Sequence, residues 1–375
     1  NCLNFFKSKG VEWNITNQFG IQLENRNRST WSLDWKKFMS SKLYQPTKTN
    51  CSFLKDYKIQ MSNLVLPNLL DGDIQKGGTH QAMNLVDSFL SKRGEKYQSQ
   101  MSSPITAESS CSRLSPHIAY GTISLREIFQ ITVHHQNQDI TTDKKKSLRS
   151  FKSRLAWHCH FIQKFYDQPS IEKYNLSSSY DGLRENDFNE RYFSAWKDGM
   201  TGYPFIDACM RYLKNNGWIN FRMRAMLVSF ASYQLWLDWK LTSKFLSKYF
   251  TDYEPGIHYS QFQMQSGTTG INTLRIYNPI KQSYDHDALG CFIKKWVPEL
   301  SNVPIKYIHE PWTMTPIESK CLNFKIGKSY KDRIIDNKLS TRLAKEKIWA
   351  VKKSLNAREE AKEIVKRHAS MKRGR

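Results

Sequence analysis

Apolar residues recur at helical spacing from Gly202 to Trp239, in GYPFIDACMRYLKNNGWINFRMRAMLVSFASYQLWLDW. Pro204 suits a first helical turn; Ile206, Cys209, Met210 and Leu213 then share one face, and Asn215, Asn216 and Gly217 end the run. A second stripe of Met223, Met226, Leu227 and Phe230 follows, so the stretch predicts a helical hairpin. Arg222 and Arg224 lie within that stripe, where an unpaired charge is costly, and both require partners. The same spacing predicts helices over Thr79–Arg93, Ile123–Val133, Asp143–Phe165, Leu241–Phe250 and Leu289–Leu300. Residues 40–76, rich in Ser, Asn, Pro, Gly and Lys, read as loop with a short element near Ile59–Leu66. No alternating pattern is long enough to build a sheet, so the expected class is mainly α, multi-helical.

Composition narrows the partners. With 375 residues and 39% hydrophobic positions the chain can fill a sizeable core. Its formal charge of +23 favours a polyanion such as DNA, an anionic membrane surface being the alternative. No run approaches the roughly 20 apolar residues of a spanning helix and no start reads as a signal peptide, so a soluble, intracellular protein is expected, cytoplasmic or nucleoid-associated, or nuclear in a eukaryote. The seven cysteines are odd in number and form no C-x-x-C pair, which signals neither a disulfide framework nor a metal site. His158 and His160, at i and i+2, point about 200° apart on a helix and do not share a metal. Triplets such as Asn14-Ile15-Thr16 match the glycosylation pattern, but the cysteine usage argues against secretion.

Three stretches carry candidate chemistry. The Ser-rich turn running into CSRLSPHIAYGTIS supplies donors without bulk, suiting either a phosphate or plain solvation. Asp252 and Glu254, just before Pro255-Gly256, can accept from the buried arginines or from a ligand's hydroxyls. Ser340–Arg375 holds twelve Lys and Arg against four Glu, which reads as a solvated, fraying helix or as an arm tracking phosphates.

Taken together, TGYPFIDACMRYLKNNGW, CSRLSPHIAYGTIS, RIYNPIKQSYDHDALGCFIKKWVPEL and HEPWTM resemble the flavin-binding helical domain of the cryptochrome/photolyase family. The resemblance implies residues 77–318 as that domain, residues 1–76 as an interdomain segment and residues 319–375 as a basic, partly helical extension. The family's N-terminal antenna domain is not in this sequence, so the antenna chromophore is unknown, as is the oligomeric state. FAD is the implied cofactor, with Tyr97, Cys111, Ser112, Leu114, Ser115, Arg224, Asp252, Tyr253, Glu254 and His258 in binding positions. Cys111 replaces a threonine, and a thiol is the weaker donor. His258 falls where the family places the residue facing flavin N5, and a histidine there is expected to titrate near neutrality.

The implied catalytic positions are Trp157, Asn220 and His258, and the implied DNA rim is His158, Arg222, Lys281 and Gln282. Departures bear on function. The E-x-x-W-R of dimer photolyases stands as Arg154-Leu155-Ala156-Trp157-His158, and the H-N-R of the hairpin as Asn220-Phe221-Arg222. Of the family's tryptophan relay, Trp239 matches the middle member, while Phe262 and Asn186 occupy the proximal and surface positions, so electrons are expected to reroute through Trp236, Tyr259 or another aromatic. The implied function is a DNA-binding FAD flavoprotein, a divergent photolyase moving an electron from FAD under blue light. Alternatives are a cryptochrome-like light or redox receptor, with a protein partner on the basic tail, and a flavin-free basic DNA-binding module.

Overall fold

The computed structural model describes residues 2–13, 18–23, 27–44, 72 and 74–368. The element expected near Ile59–Leu66, Cys51 and the Asn14 triplet lie outside the described residues. Helices dominate, and among the described residues β structure is limited to one isolated bridge between Ile326 and Tyr330. The expected helices form over Thr79–Ser91, Leu125–Gln136 and Thr142–Asp167; the region near Leu289–Leu300 breaks into Cys291–Trp296 and the short turn Pro298–Leu300, because Pro298 lacks an N–H for the helix.

The hairpin forms as Pro204–Asn216 and Phe221–Ser229. Gly217 closes the first helix in the left-handed conformation, at φ 66°, which a residue without Cβ adopts at little cost. The second helix runs into one π turn over Phe230–Gln234 rather than continuing regularly. Asp207 anchors the entry, accepting from the Thr201 N–H, the Gly202 N–H and the Tyr330 hydroxyl. The hairpin packs on Trp196, Phe292, Ile293, Leu300 and Ile308 in the larger apolar cluster. Phe230 is fully enclosed there, and burying a side chain of that size stabilises by about 1.5–3 kcal/mol.

A second cluster surrounds the long helix Thr142–Asp167: Leu148, Phe151, Leu155 and Cys159 meet Val86, Phe89 and Leu90. Cys111 packs against both clusters, which sets the serine stretch on the seam between them. Helix Pro255–Ser266 crosses the long helix closely at Gly256, where an added Cβ would lie 2.9 Å from the Ile162 Cα.

Up to His368, the last described residue, the basic C-terminal stretch is docked rather than fraying. Ala344 and Ile348 of Asn337–Lys353 pack with Tyr180 and Tyr233, and Ile364 of Leu355–His368 packs with Ile171 and Leu176. Glu360 adds a polar lock, its carboxylate accepting from the Ser178 and Ser179 N–H groups at 2.7 and 3.1 Å and from the hydroxyls of Ser177, Ser178 and Ser179. The six described cysteines are free thiols, no group of side chains among the described residues is arranged to hold a metal, and none of the described helices is long and apolar enough to cross a membrane.

Candidate functional site

Arg224 projects from the second hairpin helix onto Asp252 and makes two hydrogen bonds of 2.9 Å, one to each carboxylate oxygen. Its Nε donates to the Ile219 carbonyl, and its guanidinium lies 4.3 Å from the Phe250 ring centroid. Burial alone would raise the Asp252 carboxyl; Arg224, with the Ser115 hydroxyl, reverses this and holds it below the usual carboxylate value. The buried arginine thus has the partner its sequence position demanded, and the pair reaches the serine stretch.

In that stretch Arg113 is left-handed (φ 61°) and Leu114 right-handed, an alternation of the kind that groups successive N–H donors for an anion, and the Leu114 N–H donates at 3.4 Å to the Ser112 hydroxyl. Arg93 holds the turn from behind, donating to the Cys111, Ser112 and Leu85 carbonyls. Arg113 is fixed by Gln75 and lies 3.9 Å over the Trp218 ring. Burial pushes the Cys111 thiol up to about 12, against the pull of Arg113 and Arg93, so it stays a neutral donor. Tyr97 is buried against Phe89 and Phe151, and burial raises its phenol.

His258 is buried among Phe262, Tyr253, Tyr259 and Phe250, with ring centroids 4.5–5.9 Å away. Its Nε2 lies 3.0 Å from the Ser243 carbonyl, which can only accept, so Nε2 carries the proton. Burial lowers its pKa to about 4, a correction to the titration near neutrality expected from its position. Tyr253 and Glu254 flank it, and burial raises both. His158 is also lowered to about 4, by burial first, with Asp252 opposing; its Nδ1 is enclosed without a partner, so it faces inward rather than lining an open rim.

Asn220 opens the second hairpin helix, and its amide donates to the Met101 and Ser102 carbonyls at 3.2 and 2.8 Å. Its Oδ1 is enclosed and unpartnered, as are Gln282 Oε1 and Arg222 Nε. Phe221 and Trp157 stand at the surface, 56% and 39% exposed. Lys281 is exposed and pairs with Asp285. Arg222, next to Phe221, also lines a groove of about 830 Å³ whose charged lining is Arg222, Arg275, Lys338, Arg342 and Lys345, with no carboxylate among the described residues. Sequence reasoning assigned no part to Arg93, Gln75, Arg275 or Lys338, and took Arg342 and Lys345 only as members of the basic Ser340–Arg375 stretch. Lys338, Arg342 and Lys345 stand at i, i+4 and i+7, a spacing that marks one helical face and could have found them.

Trp239 is fully buried, its indole donating to Asn175 at 2.7 Å, while Phe262 is buried and Asn186 exposed. Trp236 lies 4.4 Å from the Arg184 guanidinium and 4.5 Å from the Lys347 ammonium, and its indole donates to Asp187. Tyr259 stacks on Phe165, its hydroxyl 3.4 Å from the Tyr253 hydroxyl and 3.5 Å from Glu172.

Residues 151–350 match the family described as the FAD binding domain of DNA photolyase. The chain is 30% identical over 262 residues to a deoxyribodipyrimidine photo-lyase of Alkalihalophilus pseudofirmus, covering 69% of this chain and 53% of that protein. It is 31% identical to that of Streptomyces griseus, over 72% and 55% of the two. Among solved structures it superposes on a class III photolyase from Agrobacterium tumefaciens with a TM-score of 0.66 at 28% identity, covering 74% and 56%. A Sulfolobus tokodaii photolyase containing two FAD molecules gives 0.60 at 30% identity, over 74% and 57%. The chain spans about half the length of the curated relatives it matches.

The residues present fit the group that the family binds. A turn of N–H groups and small hydroxyls suits a pyrophosphate, Arg224 is locked in place by Asp252, and enclosed unpartnered atoms on His158 and Asn220 await a polar neighbour. The chain therefore belongs to the FAD-binding domain family of the DNA photolyases and cryptochromes, with FAD as its cofactor.

Proposed function

We propose that the protein is a photolyase-like flavoprotein that binds DNA and acts on it with an electron supplied by light-excited FAD. The groove of five cations, with no carboxylate among its described residues, carries this reading, because such a surface neutralises a phosphate backbone and releases its counterions. One wall is Arg222 of the hairpin and the other is the C-terminal helix. Trp157, exposed on the long helix, offers a stacking face to a flipped base, with the exposed Lys281 at the rim; Gln282, assigned to the same rim by position, is buried. Tyr97, Ser112, Leu114, Ser115, Arg224 and Asp252 hold and orient the cofactor, and the enclosed apolar wall around His258 excludes water from it. The family match and this donor set favour FAD over the flavin-free alternative.

Electron resupply runs more readily through Tyr259 than through Trp236. An indole between Arg184 and Lys347 is harder to oxidise, despite Asp187, whereas Tyr259 has Glu172 to receive its proton. A second reading, a light or redox receptor without repair, is favoured by one observation: Phe221 stands where an amide is expected, and the Asn220 amide N–H group is already committed to backbone carbonyls. The test is binding of FAD-loaded protein to dimer-containing and undamaged duplexes in the dark. Tighter binding of the lesion, weakened in Arg275→Glu and Arg342→Glu, supports repair; equal affinity for both duplexes, or no effect of either substitution, counts against it.

A further inference from the structure

A second basic groove is lined by none of the residues assigned to flavin or DNA. It has a volume of about 360 Å³ and sits between helices Glu190–Lys197 and Trp239–Ser247 and the end of the first hairpin helix. Its floor is aromatic. Phe193 and Phe245 meet edge to face at 6.0 Å, Tyr249 tilts against Phe245 at 5.0 Å, and Leu241 is 42% exposed beside them. Its rim is cationic: among the described residues, Lys197, Lys214, Lys244 and Lys248 stand against a single Asp198. Asp198 pairs with Lys214 at 3.5 Å; among the described residues Lys197, Lys244 and Lys248 have no carboxylate at ion-pair distance. Lys197 is instead 5.7 Å from the Phe193 ring centroid.

We propose that this groove binds a nucleoside phosphate, its base lying on the Phe193–Phe245 floor and its phosphate between Lys244 and Lys248. Phe193 and Phe245 are both only part-buried, and base–aromatic stacking accepts any base. Three uncompensated ammonium groups at the rim suit a compact dianion rather than a neutral ring. The volume lies within the range of small-molecule sites, roughly 300–1,000 Å³. The same chemistry is offered by a free mononucleotide or by one nucleotide of a flexible single strand.

The test uses FAD-loaded protein, so that the flavin site is filled, titrated calorimetrically with adenosine monophosphate, adenosine, inorganic phosphate, a four-nucleotide single strand and an acidic peptide. The expected result is one saturable site for the mononucleotide, weakened at least about tenfold in Lys244→Glu/Lys248→Glu and in Lys197→Glu, with adenosine and phosphate each about tenfold weaker than the whole nucleotide. A strand that binds no more tightly than the mononucleotide assigns the groove to the free ligand. A strand about tenfold tighter, and equally sensitive to the substitutions, assigns it to nucleic acid. Flavin content and far-UV circular dichroism of the variants establish that these exposed substitutions leave the fold intact. Inorganic phosphate binding as well as the nucleotide, an acidic peptide binding more tightly, or an unchanged mononucleotide affinity in the charge-reversed variants overturns the proposal.

Discussion

Arg224 and Asp252, 28 residues apart in sequence, face each other through two parallel hydrogen bonds of 2.9 Å. The Asp252 side chain is only 5% exposed, so neither partner is well served by water once the other is gone. Asp252→Asn is expected to destabilise the protein by about 3 kcal/mol, chiefly by leaving the guanidinium without its counter-charge. Denaturant unfolding and the flavin-to-protein ratio check this. Because the carboxyl is held below its usual value, its stabilising contribution is present above about pH 4 and is lost as pH falls through the lowered value.

The two inward-facing histidines act in the same direction but at higher pH. Both His158 and His258 are lowered to about 4, so between about pH 6.5 and 4 the unfolded chain binds protons that the folded protein does not. Stability therefore declines as pH drops through that window, by at most about 1.4 kcal/mol per pH unit for each histidine. His158→Gln and His258→Asn should each flatten the pH dependence of the unfolding midpoint between pH 6.5 and 4.5. Bound-flavin absorbance of the unsubstituted protein should stay constant between pH 8 and 6, which no histidine titrating near neutrality would allow.

Glu360 ties the last helix to the Ser177–Ser179 turn through five hydrogen bonds, two of them from backbone N–H groups. Burial would raise this carboxyl, but the serine donors outweigh it and hold it low. Glu360→Gln keeps the shape, removes the charge and should cost about 1–2 kcal/mol. Hydrogen exchange should rise over Leu355–His368 while Pro204–Ser229 remains protected. In the unsubstituted protein the same loosening should appear only as pH falls below the ordinary glutamate range.

Much of this was legible because helices announce themselves locally. The hairpin was readable from Pro204, its 3.6-residue stripe and Gly217, and the need for an Arg224 partner followed from a charge inside an apolar face. The groove was not, since it joins Arg222, Arg275 and Lys338, which only tertiary packing brings together. The docking of the C-terminal helices was missed for a similar reason: a strongly basic composition hides the few apolar contacts, Ala344, Ile348 and Ile364, that hold them. Position also misled at His258, where an ordinary histidine titration was expected and burial among four aromatic rings disfavours a second proton despite the Ser243 carbonyl, which favours it.

Tyr259 lies between the His258 ring, 5.3 Å away, and the Glu172 carboxylate. Tyr259→Phe removes the hydroxyl whose proton Glu172 can take, and should slow blue-light reduction of the bound flavin about tenfold or more. Trp236→Phe should change that rate by less than about twofold. Absorbance at the flavin band during steady illumination, with an external reductant withheld, distinguishes the two routes.

The proposal as a whole depends on whether light absorbed by this protein alters DNA. FAD-loaded, chemically reduced protein is mixed with a duplex carrying one cyclobutane pyrimidine dimer, binding is verified on the same sample, and intact dimers are counted as blue-light dose increases. Dimers that disappear with dose, but persist in the dark and in Trp157→Ala, are the result expected of a photolyase-like enzyme. A duplex that stays bound to fully reduced protein with every dimer intact would contradict it and leave the receptor reading, with Phe221 as its structural cause.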